Sequence, residues 1–174
     1  KRDQMRSNEP GVTAIDVDTA EKCNAAGSNT LLVQCDVSNE ASVVSMLGDI
    51  EKKYGRLDVV VNNAGTSIST LAKNFDKVSE EEFDRVLAVN IKGMFLVAKH
   101  SKSLLSEGID PCIINTASIV GLRPGPQPLP YSASKAAVIS MTQSLSFALG
   151  PKVRVNAVAP GWMEGEWMER MLGE

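Results

Sequence analysis

Tyr131 and Lys135 stand four residues apart in the run "YSASK", so on a helix both side chains fall on one face. A phenol titrates near pH 10 and exchanges protons poorly at neutrality. An ammonium beside it favours the phenolate and makes the tyrosine a usable general acid or base. The same spacing also describes a surface tyrosine beside a solvated lysine, and the pair alone does not decide. Ser118 supplies context. It closes the apolar run "PCIINTAS", where its hydroxyl stands at a strand's carboxyl end and can donate to a carbonyl oxygen as charge develops there.

Asn90 lies on the stripe Phe83, Leu87, Asn90, Met94 of a helical pattern. A buried amide must be hydrogen-bonded, so Asn90 serves either a structural partner or a water relay. The turn "NNAG", residues 62–65, offers backbone groups and a side-chain-free approach, as a flat cofactor needs; it is equally an ordinary turn. Asp16 ends an apolar run, where a carboxylate can accept from both ribose hydroxyls and repel a 2′-phosphate. It also qualifies, with Asp18, as a helix N-cap. Asp36 either caps the next helix or contacts an adenine ring. His100, the one histidine, reads as an exposed helix residue rather than a base, and no metal site is expected around it.

These residues need elements to hold them. Short apolar runs at 12–16, 31–36, 57–65, 111–118 and 153–161 predict strands. Helices are predicted over 19–26 and 39–54, after Ser79, and across the Tyr-Lys turn. Ser79 and Glu82 have the spacing of a capping box. The strands are near-continuous apolar runs, as when helices cover both faces of a sheet. Alternating strands and helices imply α/β architecture, a doubly wound parallel sheet in a single domain spanning 1–174. Ligands in such sheets sit beyond the carboxyl ends of the strands, where Asp16, Asp36, 62–65, Ser118 and Pro160-Gly161 fall.

Bulk properties narrow the partners. The 174 residues are 43% hydrophobic and 22% charged, with a net charge of -3. No basic field invites nucleic acid or an anionic membrane. No apolar run approaches the roughly 20 residues that span a bilayer, and the polar segment 1–11 does not read as a signal peptide. Cys23, Cys35 and Cys112 are odd in number and never in a CxxC, which suits reduced thiols and a cytoplasmic location.

"NNAG", the asparagine of "VLAVNIKG", the serine of "IINTASIVG", "YSASK" and "RVNAVAPG" occur together, in this order and at these spacings, in the short-chain dehydrogenase/reductase family. The chain resembles that family from residue 12 to about residue 166. It looks most like the compact NAD(P)-dependent members that include 3-oxoacyl-carrier-protein reductases and sugar or secondary-alcohol dehydrogenases. The resemblance implies a Rossmann-like fold and an oxidoreductase that interconverts a secondary alcohol and a ketone, a small-molecule substrate. Tyr131 would pass the proton, Lys135 would lower its pKa and hold the nicotinamide ribose, and Ser118 would orient the carbonyl. Asn90 would hold a water linking Lys135 to solvent. Asn62, Ala64 and Gly65 would line the cofactor, Asp36 and Val37 the adenine, and Pro160 and Gly161 the nicotinamide. Asp16 would favour NAD, with NADP left open. The family also implies a homo-oligomer, dimer or tetramer. Ser132, Ala133, Ala136 and Ala137 either allow close approach of a partner helix or pack on the chain's own sheet.

Three departures stand beside the resemblance. The family's Gly-rich TGxxxGxG turn has no counterpart before residue 12, its last strand has none after 161, and Gly165 stands where threonine is usual. A first strand missing between the 12–16 and 57–65 strands would leave unpaired backbone groups facing each other. The expectation is therefore a chain incomplete at both ends. The alternative function is a non-catalytic or truncated family member acting as a nucleotide-binding or assembly module; dehydration or epimerisation on the same scaffold is a third. The loop "RPGPQPLP" and the segment 162–174, with Trp162, Met163, Trp167 and Met168, form the expected substrate side and favour a partly apolar substrate.

Overall fold

The computed structural model describes residues 17–162. Helix α1, Val17–Ala25, starts two residues earlier than the sequence predicts and places Asp18 inside its first turn. Helix α2, Glu40–Tyr54, is capped by Asn39, whose Oδ1 accepts from the Ser42 amide at 3.1 Å. Gly55 closes it at φ 70, in the left-handed region where a side chain would be strained.

Three strands form one parallel sheet in the order β1 (Val59–Asn62), β2 (Cys112–Thr116) and β3 (Arg154–Val158). Parallel neighbours require long crossovers. The first is a long helical segment in three parts: α3 (Glu80–Leu87), a π-helical turn (Ala88–Gly93) and α4 (Met94–Ser106). The second is α5, Leu129–Leu149. The capping box is present, with Ser79 and Glu82 each accepting from the other's amide at 3.2 Å.

The π turn corrects the predicted stripe. An i→i+5 turn carries an extra residue and rotates everything beyond it. Val86, Val89, Asn90, Gly93 and Met94 are therefore buried, while Phe83 and Leu87 are only half-buried. Gly93 ends the turn against Val37. A Cβ there would lie 2.8 Å from Val37 Cγ2, so this close approach requires glycine.

Register decides which strand face meets the helices. Val60, Ile113 and Val155 are aligned across the sheet. They share one core with Val43 and Leu47 of α2, Leu96, Val97, Leu104 and Leu105 of α4, and Leu145 and Leu149 of α5. Among the described residues all three long helices lie on this face. The alternate residues Val59, Val61 and Val158 are exposed among the described residues, so burial alternates along β1.

The predicted strand 31–36 does not form as a strand in the described residues. Only Asp36 makes a ladder bridge. An extended run counts as a strand only when a neighbour pairs with it; the predicted strand 12–16 lies outside the described residues. Among those residues no helix is long and apolar enough to cross a membrane.

Candidate active site

Tyr131 and Lys135 occupy the first turns of α5, on the face that meets the sheet. They are only 8% and 5% exposed. This is a buried pair, which removes the surface-turn reading of the spacing. Ser118 follows β2 and caps the short 3-10 turn Ile119–Gly121. Two bonds bring its loop to the carboxyl end of β3: Ala117 N to Val158 O at 2.8 Å, and Ile119 N to Pro160 O at 2.9 Å. A third close approach sets it on α5. A Cβ on Gly121 would lie 2.6 Å from the Lys135 carbonyl carbon and 2.9 Å from the Ala136 nitrogen.

The Ser118 hydroxyl bonds the Tyr131 phenol, and that bond favours the phenolate. Burial outweighs it and holds the Tyr131 pKa above the ordinary 10. Lys135 does not reverse this. Its Nζ lies 5.6 Å from the Tyr131 ring centroid and donates instead to the Thr116 carbonyl at 2.6 Å. The expected lowering of the tyrosine pKa by Lys135 is therefore not what this arrangement gives. Burial lowers Lys135 itself from 10.5 to about 8.

Asn90 sits in the π turn, 3% exposed. Its amide clasps the backbone of Thr66: Oδ1 accepts from the Thr66 amide at 2.8 Å and Nδ2 donates to the Thr66 carbonyl at 2.9 Å. Nδ2 also donates to Ser134 Oγ at 2.9 Å, and Ser134 donates to the Tyr131 carbonyl at 2.7 Å. One asparagine thus ties the turn after "NNAG" to the tyrosine's own helical turn. Gly65 lies between the two sides. A Cβ there would stand 3.5 Å from Asn90 Oδ1 and 3.7 Å from Lys135 Nζ, so glycine keeps that gap clear.

The remaining candidates divide. Asn62 donates to Asn115 Oδ1 at 2.9 Å on the helix-facing side of the sheet, and Ala64 is half-buried beside it. Asp36 does not cap α2, which is the work of Asn39. Its Oδ1 accepts from the amide and hydroxyl of Ser38 at 2.9 and 2.7 Å, which aims Val37 at Gly93. Pro160 is half-buried and Gly161 exposed, both beside the Ser118 loop. Asp16, Met163, Gly165, Trp167 and Met168 lie outside the described residues; Trp162 is 67% exposed. Ser132 is buried while Ala133 and Ala136 are exposed, so the small residues of α5 do not form one face. His100 is half-buried on α4 and bonded to Glu40 at 2.7 Å, rather than exposed. Sequence reasoning missed Ser134, Thr116, Asn115 and Thr142, although the asparagine inside the apolar run "CIINT" was a visible signal.

A family model described as enoyl-(acyl carrier protein) reductase matches residues 10–173. The 3-oxoacyl-[acyl-carrier-protein] reductase FabG of Thermotoga maritima is 36% identical over 137 residues, covering 78% of this chain and 54% of that protein. A Burkholderia xenovorans chain assigned to the short-chain dehydrogenases/reductases superposes with a TM-score of 0.82 at 32% identity, covering 87% of this chain and 63% of its own. NAD+-bound xylitol dehydrogenase gives 0.77 at 30%, covering 90% and 62%. ElxO with NADP bound gives 0.75 at 31%, covering 88% and 62%. The chain spans less than two-thirds of the length of each of these relatives.

Proposed function

The chain belongs to the short-chain dehydrogenase/reductase family, and on that premise we propose that it carries the proton-transfer machinery of an NAD(P)-dependent oxidoreductase interconverting a secondary alcohol and a ketone. The observation that carries this reading is the Ser118–Tyr131 hydrogen bond with Lys135 buried one turn behind it. In the reducing direction the Tyr131 hydroxyl gives its proton to the carbonyl oxygen, and Ser118 donates to that same oxygen as it gains charge. In the oxidising direction Tyr131 takes the proton back. Its raised pKa keeps the phenol protonated at neutral pH, as the first role requires, and leaves it a weaker acid than a free phenol.

The nicotinamide, when bound, supplies or accepts the hydride. The gap kept clear by Gly65 fits a group that approaches the backbone closely. Asn62, Ala64 and Gly65 would line it, Asp36 and Val37 the adenine end, and Pro160 and Gly161 the nicotinamide end, with Tyr131 and Lys135 at the ribose. Asp16 supports NAD as the cofactor. Asn90 would hold its relay water with little capacity to spare, because both its amide hydrogens are already engaged. The chain would act as one dinucleotide-binding and catalytic unit, cytoplasmic and homo-oligomeric, on a partly apolar substrate beside Leu122 and Trp162.

The test is Tyr131→Phe, assayed against a panel of 3-oxoacyl thioesters, polyols and simple ketones with NAD(H) and NADP(H). Turnover falls by about 10²–10⁴-fold while NADH fluorescence on titration is unchanged. An unaltered rate overturns the mechanism. NADH binding with no turnover of any substrate by the parent protein supports the binding-module reading instead.

A further inference from the structure

Two successive rungs join the sheet to α5. In the upper one, Thr116 accepts at its carbonyl from Lys135 Nζ at 2.6 Å, and its hydroxyl donates to Asn63 Oδ1 at 3.1 Å. In the lower one, Asn62 of β1 donates to Asn115 of β2 at 2.9 Å, and Asn115 Nδ2 donates to the Thr142 hydroxyl at 2.9 Å. The direction of the lower rung is forced. Thr142 spends its one proton on the Val138 carbonyl at 2.7 Å, so it must accept from Asn115. That turns Asn115 Oδ1 towards Asn62, which must donate.

Asn115 is 0% exposed and Thr142 is 6% exposed, deep beside Val138 and Ile113. An aliphatic pair would fill the same space without the desolvation cost of two buried polar groups. It would not supply a directional bond, and apolar surfaces alone let a helix slide along a sheet. Tyr131, Lys135, Val138 and Thr142 are spaced 4, 3 and 4 residues apart, so they share one face of α5. Thr142 lies roughly 10 Å along the axis from Lys135, at 1.5 Å per residue, on one uninterrupted helix.

We propose that Asn115 and Thr142 are positioning residues: the chain Asn62–Asn115–Thr142 sets the axial register of α5 on the strand ends, and so places Lys135 against the Thr116 carbonyl and Tyr131 against Ser118. The catalytic meaning of that placement rests on the function proposed above; the placement itself does not.

The experiment follows the Lys135 ammonium by NMR of 13Cε-lysine protein, with its signal assigned by loss in Lys135→Met. Thr142→Val keeps the volume and removes the acceptor. It moves the Lys135 midpoint by roughly half a pH unit or more, because the ammonium's distance from Thr116 and its burial both change. Thr142→Ser keeps the hydroxyl and restores the parent midpoint. Asn62→Ala, at the far end of the chain, shifts it in the same sense, so the test survives if Thr142→Val folds poorly. Val43→Ala, a buried truncation in α2, leaves it in place. A parent-like midpoint in both Thr142→Val and Asn62→Ala overturns the proposal, as does an equal shift in Val43→Ala. If the midpoint moves but Tyr131→Phe retains turnover, the positioning stands and the catalytic reading falls.

Discussion

Lys135 aims its ammonium at the carbonyl oxygen of Thr116, 2.6 Å away, and keeps 5.6 Å from the centre of the Tyr131 ring. The strand end takes the hydrogen bond, while the charge also lies over the tyrosine ring. Burial lowers its pKa from 10.5 to about 8. The folded chain therefore gives up this proton before the unfolded chain does. Between about pH 8 and 10.5 the unfolded state binds more protons, so this residue makes stability rise with pH across that window. Below about pH 8 the full penalty stands, on the order of 3 kcal/mol.

Lys135→Met removes that penalty along with one charge-assisted hydrogen bond worth about 1.5–3 kcal/mol. At pH 7 the variant is more stable than the parent by up to about 1.5 kcal/mol. The advantage shrinks as pH rises towards 10. Urea midpoints of both proteins at pH 7 and pH 9.5 check this. A difference that does not narrow between the two pH values rules out a buried, destabilising ammonium.

Ser118 favours the Tyr131 phenolate, working against burial. Ser118→Ala therefore drives the tyrosine pKa further up. An ultraviolet titration of the phenol, with Tyr131→Phe subtracted to isolate the signal, shows Tyr131 ionising later in the variant. Earlier ionisation would mean that Ser118 stabilises the neutral phenol instead.

The opening turn of α5, the capping box at Ser79 and Glu82, and the strand ends at 62–65, Ser118 and Pro160 were legible because each is a local pattern. Periodicity, cap spacing and turn chemistry act within a few residues. What escaped needs partners distant in the chain. The π turn holds Asn90, which clasps Thr66, 24 residues away, and nothing in "AVNIKG" announces an extra residue per turn. The run 31–36 has a strand's composition, but a strand exists only with its neighbour. Asn115 was read as part of an apolar run, because its partners, Asn62 and Thr142, lie 53 and 27 residues from it. The bond from Lys135 to the Thr116 carbonyl escaped for a related reason. One-turn spacing puts two side chains on a face but does not say where an ammonium points.

Gly121 separates packing from chemistry. A Cβ there would meet the Lys135 carbonyl carbon at 2.6 Å and its oxygen at 2.7 Å, both backbone atoms of α5 that cannot swing aside. Gly121→Ala must push the Ser118 loop off the helix, at a cost of about 1–3 kcal/mol, and it weakens the Ser118–Tyr131 bond. Gly125, four residues on in the same loop, has nothing within 4 Å of a Cβ. Gly125→Ala leaves both the urea midpoint and the Tyr131 titration unchanged. Equal behaviour of the two variants would remove the close approach as an explanation.

Asn90 gives the sharpest contrast between a water-relay residue and a structural one. Its amide closes a two-bond clasp on Thr66 and a third bond to Ser134, all at 2.8–2.9 Å. Asn90→Leu takes this partner from the amide and carbonyl of half-buried Thr66, at about 1 kcal/mol for each lost bond. Ser134→Ala removes two bonds, one from Asn90 and one to the Tyr131 carbonyl, at about 1 kcal/mol each, and leaves the Thr66 clasp in place. Hydrogen exchange at the Thr66 amide distinguishes the roles: it accelerates in Asn90→Leu at any pH and stays protected in Ser134→Ala. If Thr66 remains protected in Asn90→Leu while turnover falls, the clasp is incidental and Asn90 acts through solvent alone.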